Sequence, residues 1–241
     1  MSKRVQSEME KKIAPAAFPE GIPLRKFVMV IDLAKCGNAR KCVEKCQKAH
    51  NLPPNQEFMK VYLMQESEES APYWMPKPCF HCDEPLCITK CPVEATYKRP
   101  DGIVYIDQES CIGCKSCMTG CPYSSRQLNG PDNSRQQVQQ TDSSLGFSGE
   151  ESFVGKCDFC ADIIYSGTLP LCVSACPTGT IYFGDEMEDT LSNGNETVSF
   201  SGLIASRLGY GYLEELGTKP RVYYLPTVNP QIVFDHHQKK E

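Results

Sequence analysis

Three short segments mass apolar residues in the pattern of strands: FVMVID at 27–32, GIVYID at 102–107 and TIYFGD at 180–185. Each is rich in β-branched or aromatic residues and closes on an aspartate, so each is read as a short strand. The first two stand just ahead of a cysteine group and the third just behind one. Short helices are expected to open after Cys46, Cys91, Cys121 and Cys176; Pro92, Pro122 and Pro177 follow the last three and suit a first helical turn. The segment from Ser199 to Pro230 begins with an amphipathic stretch, which predicts a helix ended by Gly217 and then an extended run. Residues 129–153, NGPDNSRQQVQQTDSSLGFSGEESF, show no period and predict a surface loop or insertion. No run approaches the roughly eighteen apolar residues of a membrane span, and MSKRVQSEMEKKIAPAAFPEG lacks the apolar centre of a secretory signal. A soluble chain is expected. With no twin-arginine pair near its start, any export would ride on a partner.

A length of 241 residues, 40% hydrophobic and 23% charged, fits one large globular domain or two small ones. The net charge of −5 argues against nucleic acid as a partner, because phosphate binding needs a basic face and the Lys/Arg clusters here are brief and mixed with acids. KRVQSEMEKK near the start and HHQKKE at the end, with His236 and His237, read as solvated termini. Cysteine is the exception to this ordinary composition: fifteen occur in the chain, in four tight groups. A secreted disulfide framework is the first alternative. The odd number, the missing signal and the Cys-Pro ending of three groups point instead to iron–sulfur ligation.

Group one holds Cys36, Cys42 and Cys46; group two is Cys79, Cys82, Cys87 and Cys91; group three is Cys111, Cys114, Cys117 and Cys121; group four is Cys157, Cys160, Cys172 and Cys176. Group three has the C-x2-C-x2-C-x3-C-P spacing of bacterial ferredoxins, in which a short loop wraps three thiolates around one cubane and the fourth cysteine serves a second cluster. Structural zinc also uses C-x2-C pairs, but usually two separated pairs rather than four ligands in a row followed by proline. Crossing of the fourth cysteine makes the groups work in pairs. Adjacent groups two and three give Cys79, Cys82, Cys87 with Cys121, and Cys111, Cys114, Cys117 with Cys91. Groups one and four are left to give Cys157, Cys160, Cys172 with Cys46, and Cys36, Cys42 with Cys176. Laid over group three, group one has Ala39 at the second ligand position, and a methyl group cannot bind iron. A three-iron cluster is expected there, beside three four-iron clusters. The rival is a four-iron cluster whose odd corner is held by Asn38, a water or His50.

KPCFHCDEPLCITKCPVEATYKRPDGIVYIDQESCIGCKSCMTGCPY and KCDFCADIIYSGTLPLCVSACPTGTIYFGD carry a resemblance that runs from about Phe27 to Gly184. The chain resembles the four-cluster, ferredoxin-like iron–sulfur (beta) subunits that accompany molybdopterin enzymes of the dimethyl sulfoxide reductase family. The resemblance implies the same pairing of groups. It also implies an order: the Cys36/Cys42/Cys176 cluster faces the catalytic subunit, the Cys46/Cys157/Cys160/Cys172 and Cys79/Cys82/Cys87/Cys121 clusters follow, and Cys91/Cys111/Cys114/Cys117 lies toward a membrane partner. Ala39 departs from the commonest pattern of the family.

The fold class expected is α+β, with two ferredoxin-like double-cluster units in one chain, loop insertions and a C-terminal extension. The first unit is placed at 27–76 and 155–190, the second at 77–128, the insertion at 129–154 and the extension at 191–241. Thiolate ligation, rather than a large apolar core, is expected to hold much of it together. Function is expected to be non-catalytic: relay of single electrons between a molybdopterin or tungstopterin catalytic subunit and a membrane anchor, quinone-handling or cytochrome subunit. The complex would be a membrane-associated hetero-oligomer on the cytoplasmic or periplasmic side. Alternatives are a relay in a pterin-free quinol-oxidising complex or hydrogenase, and a stand-alone redox enzyme working at the open corner beside Ala39. No Ser/His/Asp set, carboxylate pair or phosphate loop stands out. Fifteen thiolates against the cores of four clusters leave the loaded chain at about −13, which favours partners with basic docking faces and calls for compensation by backbone N–H groups and by Lys115 and Lys156. His81 is read as filling a loop surface or donating to cluster sulfur, and Trp74 as packing.

Overall fold

The computed structural model describes residues 25–65, 67–129 and 153–227. Most of the 129–153 segment and the terminal stretches, including His236 and His237, lie outside these residues. In chain order the elements are β1 (Phe27–Asp32), α1 (Lys41–Ala49), β2 (Lys60–Met64), β3 (Tyr73–Lys77), α2 (Leu86–Thr89), β4 (Thr96–Lys98), β5 (Val104–Ile106), α3 (Ser116–Thr119), β6 (Gln127–Asn129) and β7 (Phe153–Gly155). They continue with α4 (Ala161–Ile164), α5 (Leu171–Ser174), β8 (Ile181–Asp185), β9 (Thr190–Ser192), β10 (Thr197–Ser199), α6 (Phe200–Arg207), β11 (Tyr210–Gly211) and β12 (Val222–Leu225).

β1 is central because its sequence is apolar on both faces. It pairs antiparallel with β8 (Met29 opposite Phe183) and parallel with β12 (Met29 opposite Val222), inside a six-stranded sheet ordered β10-β9-β8-β1-β12-β11. A strand covered on both sides reads as a continuous hydrophobic run. Alternation then sorts its residues: Phe27, Met29 and Ile31 face a core shared with the cysteines, whereas Val28 and Val30 face Leu191, Leu225 and helix α6. The remaining strands form three two-stranded ribbons, β2-β3, β4-β5 and β6-β7. All three segments read as strands from their residues are strands.

The extended run near the C-terminus is the sheet strand β12, tied to the group-two loop by Arg221. That side chain is 1% exposed; it donates through Nε to the Phe27 carbonyl (2.9 Å) and pairs with Asp83 (3.0 Å) and Glu186 (3.3 Å). Gly102, at φ +86°, lies where a Cβ would come within 2.9 Å of Arg221 Nε, so a side chain there would collide with this anchor.

Two expectations are corrected. The helix predicted to reach Gly217 stops at Arg207, with Leu208 left-handed and the Gly209 N–H closing on the Ile204 carbonyl (2.8 Å). Gly217 caps only a short 3-10 turn, Glu214–Leu216. The helices expected after the last cysteine of each group instead come before it or contain it: α1 holds Cys42 and Cys46, α2 holds Cys87, α3 holds Cys117 and α5 holds Cys172. Pro92, Pro122 and Pro177 sit in turns. The third residue after each of the preceding cysteines is left-handed, Glu94 (φ +58°), Ser124 (+52°) and Gly179 (+60°), and sends the chain back toward a strand. Proline's fixed φ serves the early position of a turn as well as a helix start.

Candidate metal centres

The four cysteine loops share one backbone device. The residue before the second ligand position is left-handed in each: Asn38 (φ +56°), His81 (+44°), Gly113 (+65°) and Phe159 (+60°). A left-handed residue of this kind lets successive N–H groups converge, as in the backbone nests that hold anionic clusters. Groups one and three agree further. Arg40 (+52°) and Lys115 (+65°) are left-handed helix caps, and Cys42 and Cys117 each take the second position of the helix that follows. Ala39 thus stands on the same backbone as Cys114, and both are exposed.

Helix packing pairs the groups. α1 of group one lies on α5 of group four, and α2 of group two lies on α3 of group three. Cys36, Cys42 and Cys176 line one hollow together with Asn38 and Ala39. Cys79, Cys82, Cys87 and Cys121 line another with His81 and Arg126. Burial pushes the Cys46 thiol up to about 12, with Cys160 adding to it, and raises Cys157 well above its ordinary value, with Cys46 and Cys172 adding to it. Burial, opposed by Arg126, raises Cys117, which also feels Cys91 and Cys111. Burial and the neighbouring Cys176 push Cys42 up to about 11. At Cys176 burial is outweighed by hydrogen bonds from Thr178 and Thr180, and its thiol is lowered.

This donor set fits iron–sulfur clusters. All fifteen thiols are free of disulfides, and buried thiols that raise one another become thiolates when cations stand among them. Two buried polar atoms beside the hollows, Asn38 Oδ1 and His81 Nε2, have no hydrogen-bond partner among the described residues. His81 is fully buried rather than on the loop surface. Its Nδ1 accepts the Val104 N–H (3.1 Å), which puts the ring proton on Nε2. Its ring stacks on Phe159 of group four at 3.8 Å, where the two pairs of groups meet.

Other residues singled out in the sequence go elsewhere. His50 Nε2 stands 3.8 Å from Asp158 and is grouped with Cys160; it does not line the hollow beside Ala39. Lys115 is exposed, whereas Lys156 is buried and donates to the carbonyls of Val104 and Cys157 (2.8 Å to the latter). Trp74 sits in the β2-β3 ribbon opposite Leu63. Sequence reasoning missed Arg126, whose Nη2 donates to Cys87 Sγ at 3.0 Å. A cation five residues beyond the last cysteine of group three was the available signal.

Thiols gathered at paired ferredoxin-type loops define an iron–sulfur protein, and residues 71–141 and 110–181 each match the family described as 4Fe-4S dicluster domain. A selenate reductase subunit of Mesobacillus selenatarsenatis is 34% identical over 221 residues, covering 83% of this chain and 72% of that one. A tetrathionate reductase subunit of Salmonella typhimurium is 32% identical, covering 88% and 80%. The menaquinone reductase iron-sulfur cluster-binding subunit of Nitratidesulfovibrio vulgaris is 32% identical, covering 83% and 88%. The chain belongs to the iron–sulfur (beta) subunits of the dimethyl sulfoxide reductase family of molybdopterin oxidoreductases. It is an electron-transfer subunit that works through iron–sulfur clusters in a hetero-oligomer with a catalytic subunit. Among the described residues no helix is long and apolar enough to cross a membrane.

Proposed function

We propose that the fifteen cysteines hold three four-iron clusters and one three-iron cluster. The sets are Cys46/Cys157/Cys160/Cys172, Cys79/Cys82/Cys87/Cys121, Cys91/Cys111/Cys114/Cys117, and Cys36/Cys42/Cys176 with Ala39 at the missing ligand. Two double-cluster units follow, one from 27–76 with 155–190 and one from 77–128, joined by the 129–154 insertion and extended by 191–241. When bound, each cluster takes up and releases one electron at a time.

The residues around the thiols shield and order the relay. Cys157 and Cys172 are buried, whereas Ala39 and Cys114 are exposed at opposite ends of the series. That burial pattern supports a chain with two open ends. The Ala39 end docks on the pterin-bearing catalytic subunit, and the Cys114 end, with exposed Ile112 (63%) beside it, docks on a membrane anchor or cytochrome subunit. Membrane association therefore comes through partners. Family membership does not favour a stand-alone enzyme.

The observation that carries the three-iron assignment is that Ala39 and Cys114 stand between matching left-handed residues, Asn38 and Arg40 in one loop and Gly113 and Lys115 in the other, with no thiol at the first. Anaerobically purified protein should contain about fifteen irons per chain and show an oxidised three-iron paramagnetic signal. Ala39→Cys should add one iron and convert that signal to a four-iron one. Sixteen irons in the unaltered protein would overturn the assignment and make Asn38 the next residue to change.

A further inference from the structure

We infer that Arg126 is a shared cation that sets the reduction potentials of two clusters at once, those held by Cys79/Cys82/Cys87/Cys121 and by Cys91/Cys111/Cys114/Cys117. The inference rests on the ligand sets proposed above. Arg126 is 4% exposed. Its Nη2 donates to Cys87 Sγ at 3.0 Å and its Nη1 to Thr96 Oγ1 at 3.1 Å; Cys87 packs against the small buried cluster that contains Cys117, whose thiol feels the guanidinium charge. Cys87 belongs to one set and Cys117 to the other. The strongest partners of its charge are the thiols of Cys87, Cys117 and Cys79.

The position follows from the internal repeat. Thr96 is the fifth residue after Cys91, and Arg126 is the fifth after Cys121. Both come just past the left-handed turns at Glu94 and Ser124, so the repeat of turn and strand brings the two side chains face to face between the two thiol sets. One partner is neutral and the other charged. The repeat therefore carries a single positive charge where two anionic clusters approach each other.

A guanidinium stays charged at any working pH and is tolerated in the interior only against negative charge. Each reduction adds one negative charge near it, and a fixed cation favours the reduced state of whatever lies beside it. Donation to a ligating sulfur acts in the same direction. Both centres should therefore take up electrons more readily than they would without Arg126, and the centres of the other two sets should not feel it to the same degree.

The test is a redox titration of the iron-loaded full-length chain followed by electron paramagnetic resonance, with iron content measured on each sample. Arg126→Gln should weaken electron uptake about tenfold at both of these centres, about 59 mV downward for a one-electron couple, with the other two centres unmoved. Arg126→Lys should recover most of the shift because it keeps the charge. Thr96→Val, which frees one side of the guanidinium and leaves its charge in place, should lower the same two midpoints by a smaller amount. Unmoved midpoints in Arg126→Gln at full iron content, a shift confined to one centre, or a fall in Arg126→Lys as large as in Arg126→Gln would each overturn the inference. If Arg126→Gln fails to hold iron, Thr96→Val decides instead, and unmoved midpoints at both centres in that variant would overturn it. An unaltered protein lacking these two four-iron centres would refute the ligand sets instead.

Discussion

The two halves of the molecule solve the same problem with unequal means. Around groups one and four the chain builds a six-stranded sheet whose central strand has Val28, Met29, Val30 and Ile31 fully buried. Around groups two and three it builds ribbons of two strands, β4-β5 and β6-β7, and the separate core on that side consists of Ile106, Val154 and Cys117. A two-stranded ribbon is marginal by itself in water. The sheeted half has an apolar core of its own in Val28, Val30, Tyr182, Leu191 and Leu225, whereas the ribbon half, beyond the Phe80, Ile103 and Tyr123 it contributes to the core shared with β1, relies on what its thiols hold.

Removal of the metal should expose that difference most strongly. Structural metal sites contribute on the order of 10 kcal/mol to folding when no preformed site exists without them. On chelation under reducing conditions, hydrogen exchange at 104–106 and 127–129 should accelerate first, with protection at 29–31 persisting. Equal loss in both halves would break the comparison, because the sheet would then depend on metal as much as the ribbons do.

Ile31→Ala attacks the other side. Ile31 has no exposed surface and packs in the core that contains Cys42 and Cys46. Truncation at such a site costs about 4 kcal/mol, which should appear as a lower melting temperature while the paramagnetic signals of the Cys79 and Cys111 sets remain. Arg221→Met comes next. Losing the buried cation that joins Phe27, Asp83 and Glu186 should cost about 3 kcal/mol, at the lower end for a buried pair because Asp83 is part-exposed and keeps Lys98 (2.6 Å). Its calorimetric signature should be uncoupling: one melting transition becoming two as the halves separate.

Much of this is legible in the sequence. FVMVID, GIVYID and TIYFGD are readable because a strand's apolar pattern is local, and the cysteine groups because ligand spacing is local as well. The turns after Cys91 and Cys121 are not. They depend on left-handed Glu94 and Ser124, residue types that do not advertise that conformation, and Pro92 and Pro122 suit a turn as well as a helix. The C-terminal helix ends earlier than its sequence suggests because Leu208, a residue type that carries no stop signal, turns left-handed and the next N–H closes on Ile204. Arg126 and Arg221 escape notice for a different reason. Cys87 lies 39 residues from Arg126, and Asp83 lies 138 residues from Arg221, and such partners have no local signature.

The smallest effect expected lies at Asp189, on the sheeted half alone. Its carboxylate accepts from the hydroxyls of Ser199 (2.5 Å) and Ser201 (3.1 Å) and from the Ser201 N–H (2.6 Å), so it organises the first turn of α6, the helix that covers Val28 and Val30. The Ser199 hydroxyl, then the Ser201 N–H, hold this carboxyl below its ordinary value of 3.8. A group depressed in the folded state gives its full stabilisation above the unfolded value and loses it as pH falls through the folded one. The melting temperature of Asp189→Ala should therefore lie slightly below that of the unaltered protein, by a constant margin above about pH 5. That margin should close in more acid solution. A margin independent of pH would mean that Asp189 acts through packing, and any change in the centres of the ribbon half would show that α6 matters beyond the sheet it covers.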